Sequence, residues 1–149
     1  MLVYRRTTST DKDFISLVGK LDKHLAKKNG ENQEFYGQFN TLDAIKHVVL
    51  AYNGNMAVGC GAIKQYNPEV MEVKRMYTRA EYRGKGIALS VLNELEKWAV
   101  ELGFSKCVLE TDKDNAGAIH IYRKNGYLPI PNYGQYQGVA MSVCFEKAL

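Results

Sequence analysis

The stretch Arg83-Gly84-Lys85-Gly86-Ile87-Ala88 stands between an apolar strand pattern and a strongly amphipathic helix pattern, and it constrains the fold more than any other part of the chain. Glycines there let the backbone take angles closed to other residues and approach a ligand with no Cβ in the way. The helix that follows offers free N–H groups and the positive end of its dipole at the same spot, so the combination builds a pocket for a pyrophosphate. From Ile87 onward Val91, Leu92, Leu95, Trp98, Ala99 and Leu102 recur at helical spacing, and Gly103 stands where helices often turn left-handed. The pattern predicts a helix over 87–102.

Three readings of the glycine turn compete. A P-loop needs four residues between its glycines and then Gly-Lys-Ser/Thr, which this chain lacks. A dinucleotide fingerprint finds its first half in Gly84-Lys85-Gly86 and an acidic residue, Glu110, further on; its third glycine, however, is Leu89. The strand predicted over 71–77 also ends well before Gly84, whereas the dinucleotide loop turns directly out of its strand. An ordinary solvated loop is the plain alternative.

A second motif decides among them. Asn115, Ala118 and Tyr122 are spaced by three and four residues and share one face of a helix predicted over 116–124, which Asn125-Gly126 closes. The two motifs together resemble the GNAT N-acetyltransferase superfamily. Its R-x-x-G-x-G/A loop is matched by Arg83, Gly86 and Ala88, and its N-x-x-A-x-x-x-Y segment by Asn115, Ala118 and Tyr122, followed by Gly126-Tyr127. The resemblance covers most of the chain except about 29–44, and the segments IPNYG and SVCFEK are similar to a bacterial subgroup of unassigned acceptor.

That resemblance implies an α/β fold with a mixed, mostly antiparallel central sheet, splayed between the fourth and fifth strands and flanked by helices. It implies acetyl-CoA as cosubstrate. The backbone of Gly84, Lys85, Gly86, Ile87 and Ala88 would hold the pyrophosphate, with Met76, Tyr77 and Thr78 along the pantetheine arm and Asn115 and Ala118 beside it. Asn115 is equally suited to cap its helix. The Arg83 side chain would meet either a phosphate or solvent and a surface carboxylate. Tyr122 would donate a hydrogen bond or a proton to the departing sulfur, although a core tyrosine with its hydroxyl at the surface fits the same spacing.

An amine acceptor arrives protonated and needs a base. Glu72 and Glu110 are the candidates by position, and each is also a plausible structural carboxylate, Glu72 in a network with Lys74 and Arg75. His24, His47 and His120 lack metal-ligand spacing, and His120 is read as exposed, opposite Asn115 and Tyr122. No metal site is expected. For the acceptor, the sequence offers the loop 129–138 with Pro131, Tyr133 and Tyr136, and a second group made of Gln33, Phe35, Tyr36, Phe39 and Asn40. A tunnel-like acidic pocket would suit a small polyamine or aminoglycoside, and an open groove a peptide.

Length and composition bound the rest. At 149 residues and 46% hydrophobic content, the chain is expected to be a single domain, 1–149, with a core of its own. No apolar run approaches the ~20 residues of a membrane span, and the polar, strand-like start does not read as a signal peptide; a cytoplasmic protein is expected. A net charge of +4 suits an anionic ligand but is too small and scattered for nucleic acid. Lys12, Lys20, Lys23, Lys27 and Lys28 read as the solvated face of a helix over 11–28, started by Thr10 and Asp13 and buried along Phe14, Leu17, Leu21 and Leu25. Asn53-Gly54-Asn55 joins strands 46–52 and 56–64 as a hairpin. Cys60, Cys107 and Cys144 lie in apolar strand patterns without pair spacing and read as buried thiols, Cys144 being the one to check for a covalent route.

The expected function is direct acetyl transfer from acetyl-CoA to a primary amine in a ternary complex, the acceptor being a small molecule or a peptide. Alternatives are a non-catalytic acyl-CoA-sensing module and an enzyme for protein lysine or N-terminal amines. Superfamily members often pair, and an exposed edge of the final strands would permit a homodimer.

Overall fold

The computed structural model describes residues 1–29 and 45–149, with side chains of the first segment described to residue 23. Strand β1 (Leu2–Thr7) leads into helix α1 (Lys12–Asn29). The cap differs from expectation: Asp11 Oδ1 accepts from the amide of Asp13 at 2.9 Å, while Thr10 pairs with Thr8. Asp13 is drawn away because its Oδ2 accepts from the Tyr52 hydroxyl at 2.6 Å, a tertiary partner that no local pattern shows. Phe14, Leu17 and Leu21 are buried as their spacing requires. The side chains of His24, Leu25, Lys27 and Lys28, and the group from Gln33 to Asn40, lie outside the described residues.

Strands β2 (His47–Asn53) and β3 (Met56–Asn67) form the Asn-Gly hairpin, with Gly54 at φ 62°, the left-handed angle such a turn demands. Strand β4 (Val70–Thr78) follows, then a 3-10 turn (Ala80–Tyr82) and helix α2 (Ile87–Glu101). Strand β5 (Lys106–Asp112), helix α3 (Ala116–Lys124) and strands β6 (Leu128–Ile130) and β7 (Ser142–Ala148) complete the described chain. Gly103 ends α2 at φ 91°.

The strand order is β1-β2-β3-β4-β5-β7-β6. All neighbours are antiparallel except β4 and β5, which pair only at Val70 with Lys106, Met71 with Cys107 and Glu72 with Val108. Past Glu72 the two strands share no further ladder, so the sheet opens there. One face packs under α2, where Val91, Leu92, Leu95 and Ala99 meet Val49, Val73 and Leu109. The other packs under α1, where Phe14, Leu17 and Val18 meet Val48, Leu50 and Cys60. Each fully buried Leu or Phe contributes roughly 1.5–3 kcal/mol through apolar burial.

Candidate active site

The opening between β4 and β5 is the root of a cleft of about 860 Å³, walled by both strands, the start of α2 and α3. At one end, Gly84 and Gly86 sit at φ 78° and 79°, and a Cβ added to either would meet nothing within 4 Å. Gly86 is the N-cap of α2 and offers no side chain, so the first amides of that helix keep their donors free. The turn is therefore left-handed for backbone reasons and open for ligand reasons, and its amides and dipole suit an anion. These features fit a pyrophosphate of coenzyme A. Asn53 steadies the loop through Tyr82, and Arg79 through the Ala57 carbonyl, at 3.1 and 2.8 Å.

Met76, Tyr77, Thr78, Arg83, Gly84, Gly86, Ile87, Ala88, Asn115, Ala118, Tyr122, Glu72 and Glu110 all line the cleft. Lys85 does not; its ammonium stands over the Tyr82 ring at 5.6 Å, because the turn carries its side chain to the outer surface. Arg83 is exposed at the mouth of the cleft. Its Nε donates to the Thr78 carbonyl at 3.0 Å and its guanidinium lies over Tyr77, since the loop folds back on the end of β4. Asn115 does cap α3, accepting from the Ala118 amide at 3.3 Å through Oδ1, which leaves its amide donors without a partner among the described residues. His120 is exposed as expected, yet it lines the cleft together with Gly117, Ile121 and Lys124. A short helix lying along a wall presents more than the single stripe that spacing predicts.

Tyr122 is buried against the core, edge to face with Tyr127 at 5.9 Å. Burial raises its pKa, and the charge of Glu110 raises it further. Its hydroxyl has no hydrogen-bond partner among the described residues and borders the cleft. Glu110 accepts from Ser142 Oγ at 2.5 Å through Oε2; burial raises its pKa, opposed by that hydrogen bond and by Lys74. Glu72 Oε2 accepts from the Tyr133 hydroxyl at 2.6 Å, and Oε1 forms a longer ion pair with Lys74 Nζ at 3.8 Å. The expected network with Lys74 is present, but Arg75 turns to Asp22 of α1 at 2.7 Å.

That turn has a local cause. Cys60 pairs with Tyr77 and Ala62 with Lys74, so β4 carries one residue more than β3 between those pairs, and Arg75 takes φ 60°. The bulge brings Arg75 to the α1 side of the sheet, while Met76 returns to the α2 side, close to Gly61. Nothing in the local sequence signals it. The aromatic loop is held by Asn132, whose Nδ2 reaches the carbonyls of Tyr136, Val139 and Ser142 at 3.1 Å each. Tyr136 borders the cleft, and Tyr133 is packed between Tyr66 and Tyr136. Lys74 and Arg75 also line the cleft, where the sequence offered them only as ion-pair partners of Glu72.

Burial pushes the thiols of Cys60 and Cys107 up to about 12 and that of Cys144 to about 11. None is a thiolate near neutral pH. No group of metal-ligating side chains occurs among the described residues, and no described helix is long and apolar enough to cross a membrane.

Comparison with known proteins agrees with this geometry. Residues 19–127 match the acetyltransferase (GNAT) family. The chain is 31% identical over 138 residues to an IAA acetyltransferase of Azospirillum brasilense, covering 91% of this chain and 90% of that one. It is 30% identical over 132 residues to the spermidine N(1)-acetyltransferase of Escherichia coli K12, covering 78% and 69%. A Klebsiella pneumoniae crystal structure, provisionally described as an acyl-CoA N-acyltransferase, superposes with a TM-score of 0.83 at 27% identity and covers 100% and 98% of the two chains. The sequence motifs, the splayed sheet and these relatives agree: the chain belongs to the GNAT family and is an acetyl-CoA-dependent N-acetyltransferase.

Proposed function

We propose that the chain moves the acetyl group directly to a primary amine in a ternary complex, with Tyr122 as the hydrogen-bond donor to the leaving sulfur and Glu110 as the proton acceptor. Acetyl-CoA supplies an activated carbonyl and a thiol leaving group. The observation that carries the reading is Tyr122 itself, a largely buried residue that lines the cleft and whose hydroxyl has no hydrogen-bond partner among the described residues. Its raised pKa keeps the phenol protonated at every physiological pH, so it is always able to donate. Because an ordinary thiol has a pKa of ~8.5, the phenol serves best as a hydrogen-bond donor to developing charge.

The amides that open α2, with Gly84 and Gly86, hold the pyrophosphate, and the unpartnered donors of Asn115 suit the carbonyls of the pantetheine arm. Glu110 is favoured over Glu72 because burial raises its proton affinity, whereas Glu72 is ion-paired with Lys74. A carboxylate with a raised pKa narrows the gap to an ammonium of about 10.4. The inert thiols support direct transfer over an acyl-cysteine route.

Tyr122→Phe should lower kcat roughly 10- to 1,000-fold with acetyl-CoA affinity unchanged by calorimetry. Initial-rate plots against both substrates should intersect. Parallel lines would replace direct transfer by a two-step route, and an unchanged kcat would remove Tyr122 from the mechanism.

A further inference from the structure

The acceptor side of the cleft holds charges of both signs, and two of them have donors that no described residue uses. Lys74 and Arg75, adjacent on the β4 bulge, both line the cleft, with side chains only 7% and 2% exposed. Burying a cation this deeply is costly unless it is paired and hydrogen-bonded. The pairing is incomplete for each. Arg75 gives Nη1 to Asp22 Oδ1 at 2.7 Å, which fixes the guanidinium plane, while its buried Nε has no hydrogen-bond partner. Lys74 lies 3.8 Å from Glu72 Oε1, too far for a hydrogen bond, and Glu72 is already engaged by Tyr133.

An orphaned guanidinium donor in a nearly closed position needs an explanation, and a planar anion is the partner that a guanidinium edge fits best. Across the same cleft Glu110 keeps one oxygen uncommitted. Cations on the bulge and a carboxylate on β5 form a two-signed site. A purely cationic acceptor, such as a polyamine, would meet Lys74 and Arg75 beside the carboxylates of Glu72, Glu110 and Asp112, whereas an acceptor carrying both signs can match both. Burial lowers the Lys74 pKa, and a bound anion would oppose that effect.

Building on the reading of this cleft as the acetyl-transfer site, we infer that Lys74 and Arg75 form an anion-recognising half of the acceptor site, so that the acceptor is an amine bearing a carboxylate, with its amino group toward Glu110. The acceptor is then an amino-acid-like zwitterion. Lys74 and Arg75 act here as specificity-determining residues, not as acid or base.

The test compares free amino acids with their carboxamides, pair by pair, and with spermidine, using the full chain, acetyl-CoA and thiol release as the readout. The free acids should exceed their carboxamides in kcat/KM by at least about tenfold, because an amide leaves a charged reading group unpaired. Lys74→Met should collapse that ratio toward unity with acetyl-CoA affinity retained. Arg75→Met should do the same wherever its melting curve shows a folded protein. A preference for carboxamides or spermidine, an acid preference untouched by Lys74→Met, or no turnover of any panel member by protein that binds acetyl-CoA would each overturn the inference. Failure to bind acetyl-CoA at all would instead overturn the reading of the cleft.

Discussion

Glu72 and Glu110 sit on neighbouring strands and were equal candidates in the sequence; their partners separate them. Glu72 is buried, hydrogen-bonded to Tyr133 and ion-paired with Lys74, whereas Glu110 is half-buried with a hydrogen bond from Ser142. Because the folded pKa of Glu110 lies above its unfolded value, the folded chain holds that proton more tightly. Its contribution to stability is therefore full below the ordinary carboxylate range and is lost as pH rises through the raised value. Glu110→Gln removes the cost of the buried charge, so its Tm should exceed that of the parent at about pH 8, with the difference vanishing toward about pH 4. If Glu110 is the base, the same variant should lose about 100- to 10,000-fold in kcat near neutral pH, recovering as alkaline pH deprotonates the amine unaided. Paired thermal melts and pH-rate profiles separate the two effects. The sequence named both carboxylates, but it could not rank them, since their hydroxyl partners lie on β7 and in the aromatic loop, far along the chain.

At the scale of elements, α2 carries free donors at its start and an anchor near its end. Glu96 on its third turn is only 8% exposed and accepts from Tyr127 Oη at 2.8 Å, Asn125 Nδ2 at 3.0 Å and Lys147 Nζ at 2.8 Å. It joins α2 to the end of α3 and to β7. Glu96→Ala would strand a buried hydroxyl and a half-buried ammonium at once, at a cost of about 3 kcal/mol. A Tm lower by about 6–12 °C should follow, read by calorimetric melting. Within an element, legibility was high. The helices over 87–102 and 116–124 emerged as Ile87–Glu101 and Ala116–Lys124, because period and turn residues are local signals. The cap of α1 was misread, since Thr10 and Asp13 have the right spacing but Tyr52, from β2, engages Asp13.

Across the whole molecule, the α2 face of the sheet depends on glycines that allow the helix to lie close. A Cβ at Gly61 would fall 2.9 Å from both Val91 Cγ1 and Leu95 Cδ1 and closer still to Met76 Sδ. Gly61→Ala should cost about 1–3 kcal/mol in urea melts, as overpacking does. Because Met76 also lines the cleft, acetyl-CoA should bind more weakly to that variant by calorimetry.

By itself the sequence determined the elements, the left-handed glycine turn before α2, the Asn-Gly hairpin and the family, all written in residues close together in the chain. The tertiary structure alone decided the β4 bulge, the inward turn of Arg75 with its unpaired Nε, the fold-back of Arg83 onto Thr78, and which carboxylate pairs with Lys74. Those depend on register between strands and on partners many residues away. A pattern of spacing records which face a side chain takes on its own element, but not what meets it there.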